Sequence, residues 1–230
     1  MSSVLDFKNE FFGLIGKIKP SWEIKGLLSS EKKVYVFGSD TKVLSTIFEL
    51  LCRPFVLSIA QKYGYIVEEA PQTVYPDFTL LKNKTDKDKI AIDVKTTYRK
   101  FNKQHKTMPF NFTLGSYTSF IRNDTKNILY PYSEYKEHWI IGFLYTRNLS
   151  PGVICVHKLE NIDKIPSPYK DVEFFVQEKY KIAGKRPGSG NTTNIGSIKS
   201  AKISDFEKGL GPFAKKGEQA FLKYWRKYKK

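Results

Sequence analysis

The chain has 230 residues, of which 40% are hydrophobic and 15% aromatic, a composition typical of a globular protein with one substantial core. Lysine and arginine outnumber aspartate and glutamate by 39 to 23, and the net charge of +16 predicts a polyanionic partner, nucleic acid rather than membrane. The longest apolar run, Trp139 to Tyr145, is too short to span a bilayer. Asp6 and Glu10 interrupt the only apolar stretch near the N-terminus, so no signal peptide is expected. A basic enzyme that contacts no nucleic acid is the alternative.

The first half of the chain alternates predicted helices and strands. An amphipathic pattern predicts a helix over residues 4–17. Asp40 is placed to cap a long helix over 40–63, which Pro54 should kink or split. Strands are predicted at 34–37 and 66–69, and a hairpin is predicted from the strands 78–81 and 89–97.

The second half is richer in strand signals. We expect a helix near 117–129, strong strands at 139–145 and 153–156, and weaker strands at 173–176 and 180–183. Gly, Ser, Asn and Thr dominate residues 184–200, which predicts a loop, and a helix follows over 213–230. This pattern indicates a single domain over 1–230, an α/β fold with a mixed β-sheet flanked by helices.

Cysteine and histidine offer no metal site. Cys52 and Cys155 lie far apart and suggest buried thiols in a reducing, cytoplasmic compartment. His105, His138 and His157 are also scattered, so a zinc or histidine metal centre is not expected.

Two acids and a lysine stand out in the predicted hairpin. Because successive side chains of a strand point to opposite faces, Asp93 and Lys95 share one face of the segment Ile90 to Lys95. If the turn centres near Thr85, Asp77 pairs with Asp93, and their Cβ atoms lie about 5 Å apart. The three side chains are therefore expected to converge.

Such a group of charges favours a bound cation. Two ionised carboxylates at that separation repel by roughly 3 kcal/mol at an effective dielectric constant of about 20. A hard divalent ion such as Mg²⁺ would offset this repulsion, and the backbone carbonyl of Val94 could supply a further oxygen ligand. Such a metal supports phosphodiester cleavage, with Lys95 stabilising the developing negative charge. The alternative is a solvated salt-bridge cluster on a hairpin.

Pro76-Asp77 and Asp93-Val94-Lys95 match the motif of the PD-(D/E)xK nuclease superfamily. From about residue 30 onward the chain resembles the EcoRV family of type II restriction endonucleases within it. The segments that carry this resemblance are Gly38 to Glu49, Gly64 to Glu69, Tyr75 to Leu80, Tyr117 to Asn123, His138 to Gly142 and Gly188 to Ser197.

The resemblance implies a restriction-endonuclease-like fold and a Mg²⁺-dependent homodimer that cuts both strands of a palindromic DNA. The expected target is GATATC, cut at its centre to leave blunt ends, in a bacterial cytoplasm where a cognate DNA methyltransferase is also expected. By the family pattern, Asp77 and Asp93 are metal ligands, Lys95 is the catalytic lysine, and Glu49 assists a metal or a water.

The resemblance also implies DNA contacts. The segment 188–194 matches the base-recognition loop of the family, with Gly188, Ser189, Gly190, Asn191, Thr192 and Asn194 as DNA-binding residues. Glycine lets the backbone approach the major groove, and asparagine can bond adenine through two hydrogen bonds. Gln72 and Thr73 match a second loop that approaches the minor groove. Lys42, Thr97, Ser119 and Lys126 match contacts to the DNA backbone.

Three other interpretations stay open. The segment 188–194 could be a plain flexible surface loop. The chain could be a structure-specific repair or recombination nuclease, which needs no base-reading loop. It could also be a catalytically inactive DNA-binding protein, although the intact Asp77, Asp93 and Lys95 argue against that.

Overall fold

The computed structural model describes residues 5–149, 155–188 and 193–229. The helices and strands of these residues are, in chain order, α1 (Phe7–Ile18), β1 (Leu27–Leu28), β2 (Lys33–Tyr35), α2 (Thr41–Lys62), β3 (Ile66–Glu69), β4 (Phe78–Leu81), β5 (Lys89–Tyr98), β6 (Thr113–Ser116), β7 (Tyr135–Arg147), β8 (Val156–Lys158), β9 (Tyr169–Glu178), α3 (Lys179–Ile182), β10 (Ala183–Pro187), β11 (Asn194–Ser197), α4 (Ile203–Glu207) and α5 (Glu218–Lys227).

A five-stranded mixed sheet in the order β3-β4-β5-β7-β9 forms the centre of the fold. β5 and β7 run parallel, and the other neighbouring strands run antiparallel. Two three-stranded sheets, β1-β2-β8 and β10-β11-β6, lie beside it. The predicted fold class, a mixed sheet flanked by helices, is confirmed.

Strand β5 is buried on both faces because helices and strands cover each side of the sheet. Ile90, Ile92 and Val94 pack in one core with α1 and α2, while Ala91 lies in a second core that includes α5. The predicted alternation is therefore confirmed, and the polar groups of β5 share a face with Ala91.

Helix α2 covers the face of the sheet that holds Ile92 and Val94. The Asp40 side chain accepts hydrogen bonds from the backbone N–H groups of Lys42 and Val43, as the predicted cap requires. Of the two outcomes predicted at Pro54, the split is wrong, since α2 runs through this residue unbroken, and the kink stays a prediction. Pro54 is exposed, and the residues after it pack into the core, so tertiary contacts hold the helix together across the missing hydrogen bond.

Within the described ranges, α2 alone is long and apolar enough, by length and composition, to cross a membrane, with a mean hydropathy of 1.7. Its buried side chains include Leu44, Phe48, Cys52 and Val56, which belong to the core beneath it. Packing against the sheet accounts for this apolar composition.

The predicted helix over 117–129 is wrong. Only one wide turn forms, over Tyr117–Ile121, and Ser119 inside it has φ −98° and ψ −113°, which is not helical. The Asn123 side-chain oxygen then accepts a hydrogen bond from the Thr125 N–H, and such local bonds compete with a helix. Asp124 accepts one from the N–H of Ser133, beyond the segment. The segment is a string of turns.

Two predictions near residue 184 are also wrong. Residues 179–182 form the helical turn α3, not a strand. The flanks of the predicted loop 184–200 are the antiparallel strands β10 and β11, paired through Ala183 with Ser197 and Pro187 with Ile195. A Cβ atom on Gly196 would lie 2.8 Å from the carbonyl oxygen of Arg186, so glycine here permits close strand packing.

The last helix, α5, is shorter than the predicted 213–230. Its apolar stripe packs in the core as predicted, with Phe221 and Trp225 buried. The strand expected at 153–156 is instead Val156–Lys158, and residues 150–154 lie outside the described residues. Cys52 is buried as predicted, whereas Cys155 is exposed.

Candidate active site

The hairpin of β4 and β5 brings Asp77, Asp93 and Lys95 together. Its register pairs Phe78 with Ile92, and one further step places Asp77 across from Asp93, as predicted. The Val94 backbone N–H donates a hydrogen bond to Asp77 Oδ2 at 2.6 Å. Lys95 Nζ lies 2.7 Å from Asp93 Oδ1 and 3.9 Å from Asp77 Oδ2. One ammonium group therefore bridges two carboxylates.

Burial and mutual charge shift the titration of this group. Burial raises the pKa of Asp77 to about 8; Asp93 and Glu49 add to the rise, and Lys95 opposes it. Burial alone would lower the pKa of Lys95, but the carboxylates of Asp93 and Asp77 raise it above its ordinary value. Lys95 is thus protonated at neutral pH and acts as a hydrogen-bond donor.

One oxygen of the Asp93 carboxylate has no hydrogen-bond partner among the described residues. Its side chain is almost fully buried, and Oδ2 accepts no hydrogen bond from any described group. Since a buried carboxylate oxygen without a partner is costly, this atom is suited to a cation or to an ordered water.

A cleft of about 260 Å³ opens above these residues. Asp77, Asp93 and Lys95 line it together with Ser119 and Asn194. An adjoining cavity of about 400 Å³ shares Asp77 and Thr73 with it, and is also lined by Lys42, Glu49 and Gln72. The residues expected to catalyse cleavage, to contact the DNA backbone and to recognise bases therefore line two adjoining cavities.

The comparisons with known proteins agree with this geometry. The family model for restriction endonuclease EcoRV matches residues 19–230. The type II restriction enzyme EcoRV of Escherichia coli is 52% identical over 211 residues, which cover 91% of this chain and 83% of that protein. The chain belongs to the EcoRV family of restriction endonucleases. The resemblance carried by the motif Asp77 and Asp93-Val94-Lys95 is confirmed, and so is the enzyme class, a type II site-specific deoxyribonuclease.

Glu49 of this EcoRV-family chain lies at the rim of the group formed by Asp77, Asp93 and Lys95. It is half-buried on α2, and burial raises its pKa, with Lys95 opposing the rise and Asp93 adding to it. In the ranges the structure describes, no three Asp, Glu, His or Cys side chains are close enough to form a metal site by themselves. Glu49 therefore interacts electrostatically with Lys95 and Asp93, and its part in a metal site stays a prediction.

The oxygen donors of the site fit a hard divalent cation. Asp77 and Asp93 offer carboxylates, and none of the described residues that line the cleft offers a soft ligand. The Val94 carbonyl accepts a hydrogen bond from Lys95 Nζ at 3.2 Å and keeps a second lone pair for a cation. Mg²⁺ is bound by few protein oxygens and keeps several waters, so two carboxylates and a carbonyl are a sufficient set.

Of the other expected DNA-binding residues, three are described but do not line the cleft, and four lie outside the described residues. Thr97 follows Lys95 on the same face of β5, and Lys126 is exposed in a turn. The Gly188 N–H donates to the Asn194 carbonyl at 2.9 Å and closes the end of the β10–β11 pair. Ser189, Gly190, Asn191 and Thr192 lie outside the described residues.

The cleft also contains residues that the sequence did not mark. Ser116, from the end of β6, and Asn127, from a turn, both line it. Asn127 lies in the segment whose predicted helix was wrong, Ser116 ends a strand that was not predicted, and neither carries a motif. Only the tertiary fold brings them beside Lys95.

Proposed function

We propose that this EcoRV-family enzyme is a Mg²⁺-dependent endonuclease that cuts both strands of the palindrome GATATC at its centre and leaves blunt ends. The observation that carries the proposal is the convergence of Asp77, Asp93 and a protonated Lys95 in a cleft that Asn194 also lines. A cutting group and a candidate base-reading residue thus lie on one surface.

In this proposal Asp77, Asp93 and the Val94 carbonyl hold the metal, and Glu49 assists from the rim. When bound, Mg²⁺ polarises a phosphoryl oxygen and lowers the pKa of a bound water. Lys95 holds the Asp93 carboxylate through its 2.7 Å contact. It also donates to the Val94 carbonyl at 3.2 Å, which leaves one N–H to stabilise the negative charge that develops on the phosphate.

Recognition of DNA is assigned to the surroundings of the cleft. Asn194, together with residues 188–192, is proposed to read base edges in the major groove. Gln72 and Thr73, in the adjoining cavity, are proposed to approach the minor groove. Lys42, Thr97, Ser119 and Lys126 are proposed as backbone contacts, supported by the net charge of +16.

The cleavage of both strands is best explained by a homodimer, since one cleft serves one strand. The small sheet β1-β2-β8 offers a surface for a second copy. Leu27 pairs with Tyr35 and Tyr35 with Val156, so the three share one face. Their exposed fractions are 57%, 46% and 52%. Such an apolar face is typical of a protein–protein contact. A cognate methyltransferase is proposed to protect the DNA of a bacterial host, in whose cytoplasm the enzyme acts.

Mapping the cut ends on a plasmid of known sequence tests the proposal. We expect discrete fragments with blunt ends inside GATATC when Mg²⁺ is present, and none when it is chelated. Discrete cuts at another sequence would contradict the target. Cleavage confined to branched DNA would contradict sequence-specific restriction and favour a structure-specific nuclease.

A further inference from the structure

A buried lysine lies behind the cleft and is unused by the proposed mechanism. Lys179, in α3, is 1% exposed, and its ammonium group makes no hydrogen bond to any described residue. Aromatic rings surround it instead. Nζ lies 4.1 Å from the ring centre of Tyr75, 4.7 Å from that of Phe120 and 5.9 Å from that of Tyr132. Aromatic faces attract cations, and this attraction is strongest when the cation is removed from water.

The aromatic cage and the cleft share a wall. Tyr75, Gly115 and Phe120 all line the cleft that contains Asp93 and the other charged groups of the candidate site. A Cβ atom on Gly115 would lie 3.8 Å from the nitrogen of Lys179. A ring or a stretch of backbone is therefore all that separates this nitrogen from the space where a phosphate would bind.

The charged groups near Lys179 are those of the candidate site and of α5. Burial lowers the pKa of Lys179 to about 7, and Lys95 adds to this effect. Asp93 is the largest of the charges that oppose it, and Glu218 is the next. The neighbouring imidazole of His138 is buried, and its pKa is well below the ordinary value, so it contributes little positive charge. A bound phosphate would favour the charged form of Lys179 further.

An ammonium group with no hydrogen bond is expensive to bury, and a methionine of similar shape would fill the same cage. We propose that Lys179 is an electrostatic positioning residue of the cleavage site, whose ammonium group acts through the cleft wall on the Asp93 carboxylate and on the bound phosphate. The inference rests on the proposed function and deepens it by adding a second cation behind Lys95.

The test depends on the opposite effects that the positive charge of Lys179 should have on the binding of a metal cation and on the binding of DNA phosphate. At pH 6.5, Mn²⁺ binding to the DNA-free protein is measured by calorimetry. Binding of a GATATC duplex is measured without metal by fluorescence anisotropy. Because a positive charge repels a metal ion and attracts a phosphate, Lys179→Met should tighten Mn²⁺ binding about threefold to tenfold and weaken duplex binding by a similar factor.

Lys89→Met is the matched control. Lys89 is fully buried on β5, lies over the ring of Tyr130, and pairs with Glu134 away from the cleft. Its loss should lower stability but leave both binding constants unchanged. A parallel weakening of both constants in Lys179→Met, or no change in either, would overturn the inference. Failure of the wild-type protein to bind either ligand would instead overturn the proposed function.

A measurement on the wild-type protein covers the case in which Lys179→Met does not fold. Nitrogen-15 NMR at pH 6.5 should show a slowly exchanging lysine ammonium signal, shifted by the currents of the surrounding rings and still present in Lys89→Met. This signal should move when the duplex is added. If no protected ammonium signal exists, or if it does not respond to the duplex, the inference is wrong.

Discussion

At the scale of single residues, the candidate site depends on how Lys95 shares its charge. Its nitrogen lies closer to Asp93 than to Asp77, at 2.7 and 3.9 Å. Asp77 receives a backbone hydrogen bond from Val94 instead, yet burial still raises its pKa to about 8. Two acids on one hairpin are therefore not equivalent, because one is held by a side chain and the other by the backbone.

Replacing Asp93 by asparagine should separate cutting from binding. Asp93→Asn keeps the shape of the side chain but removes a charged oxygen from the proposed metal site. Single-turnover cleavage should fall by at least about a thousandfold, while duplex affinity without metal should not fall. Asp163→Asn, at an exposed acid, is the control and should cut at the wild-type rate. Undiminished cleavage by Asp93→Asn would contradict the site assignment.

Replacing Asn194 should reduce discrimination between sequences. Asn194→Ala removes a side chain of the cleft that could make two hydrogen bonds to N6 and N7 on the major-groove edge of adenine. The ratio of cleavage rates on GATATC and on a duplex with one changed base pair should fall by about 5-fold to 150-fold, since a good bidentate contact contributes about 1–3 kcal/mol. The control is Asn161→Ala, an exposed asparagine outside the cleft. An unchanged ratio for Asn194→Ala would exclude it as a base reader.

At the scale of elements, β5 and β7 position the site because they pair in parallel at the centre of the sheet. In the register of the sheet, Lys95 pairs with Gly142 of β7, and Gly142 pairs with Phe175 of β9. A Cβ atom on Gly142 would lie 2.1–2.9 Å from atoms of the Phe175 ring. The ring occupies the space that a side chain at 142 would need.

Gly142→Ala should therefore destabilise the sheet beside Lys95. The ring of Phe175 is fully buried and has little room to move, so the free energy of unfolding should fall by about 1–3 kcal/mol in urea titrations. Gly16→Ala, in α1, is the matched control. No atom lies within 4 Å of its added methyl group, and alanine should stabilise this helix by up to about 1 kcal/mol. Equal effects of the two substitutions would show that Phe175 yields without cost.

Helix α5 carries a half-buried acid, Glu218, whose titration should affect stability. Burial raises the pKa of Glu218 to about 7, with Lys179 opposing the rise. Since the unfolded pKa is near 4.5, the folded state prefers the protonated acid, and this contribution is lost as pH rises from about 4.5 to 7. The unfolding free energy of the wild type should fall by about 2 kcal/mol across this range relative to Glu218→Gln, allowing for partial exposure. If the unfolding free energies of the wild type and of Glu218→Gln vary with pH in parallel, Glu218 does not contribute to this pH dependence.

Local signals predicted some elements and missed others for identifiable reasons. The β4–β5 hairpin and the cap of α2 depend on alternation and on a nearby side chain, and both were predicted correctly. The turns at 117–129 were missed because the Ser119 N–H bonds the side-chain oxygen of Ser116, a local contact that the apolar pattern does not show. The turn α3 was missed because Ile182 is buried by contacts with segments that are distant in the sequence. Lys179 was missed for the same reason, since a lysine between charged and polar residues gives no sign of burial.

At the scale of the whole molecule, charge and apolar surface have different roles. The net charge of +16 suits a surface that approaches DNA, and duplex binding should weaken steeply with added salt because cations released from DNA favour binding at low salt. The exposed apolar face of Leu27, Tyr35 and Val156 lies on a separate small sheet. This division suggests that one surface binds DNA and another binds a second copy.

The proposed dimer surface can be tested by placing charges on it. The double variant Leu27→Asp, Tyr35→Glu puts an acid on each of two neighbouring strands, and two copies could then meet only by burying like charges. Sedimentation should show the wild type as a dimer and the variant as a monomer. Plasmid cleavage by the variant should stop at nicked circles, because a single cleft cuts one strand. Leu210→Glu, at a leucine that is 59% exposed and lies outside this sheet, is the control and should remain dimeric. A folded double variant that stays dimeric and linearises plasmid would show that the second copy binds elsewhere.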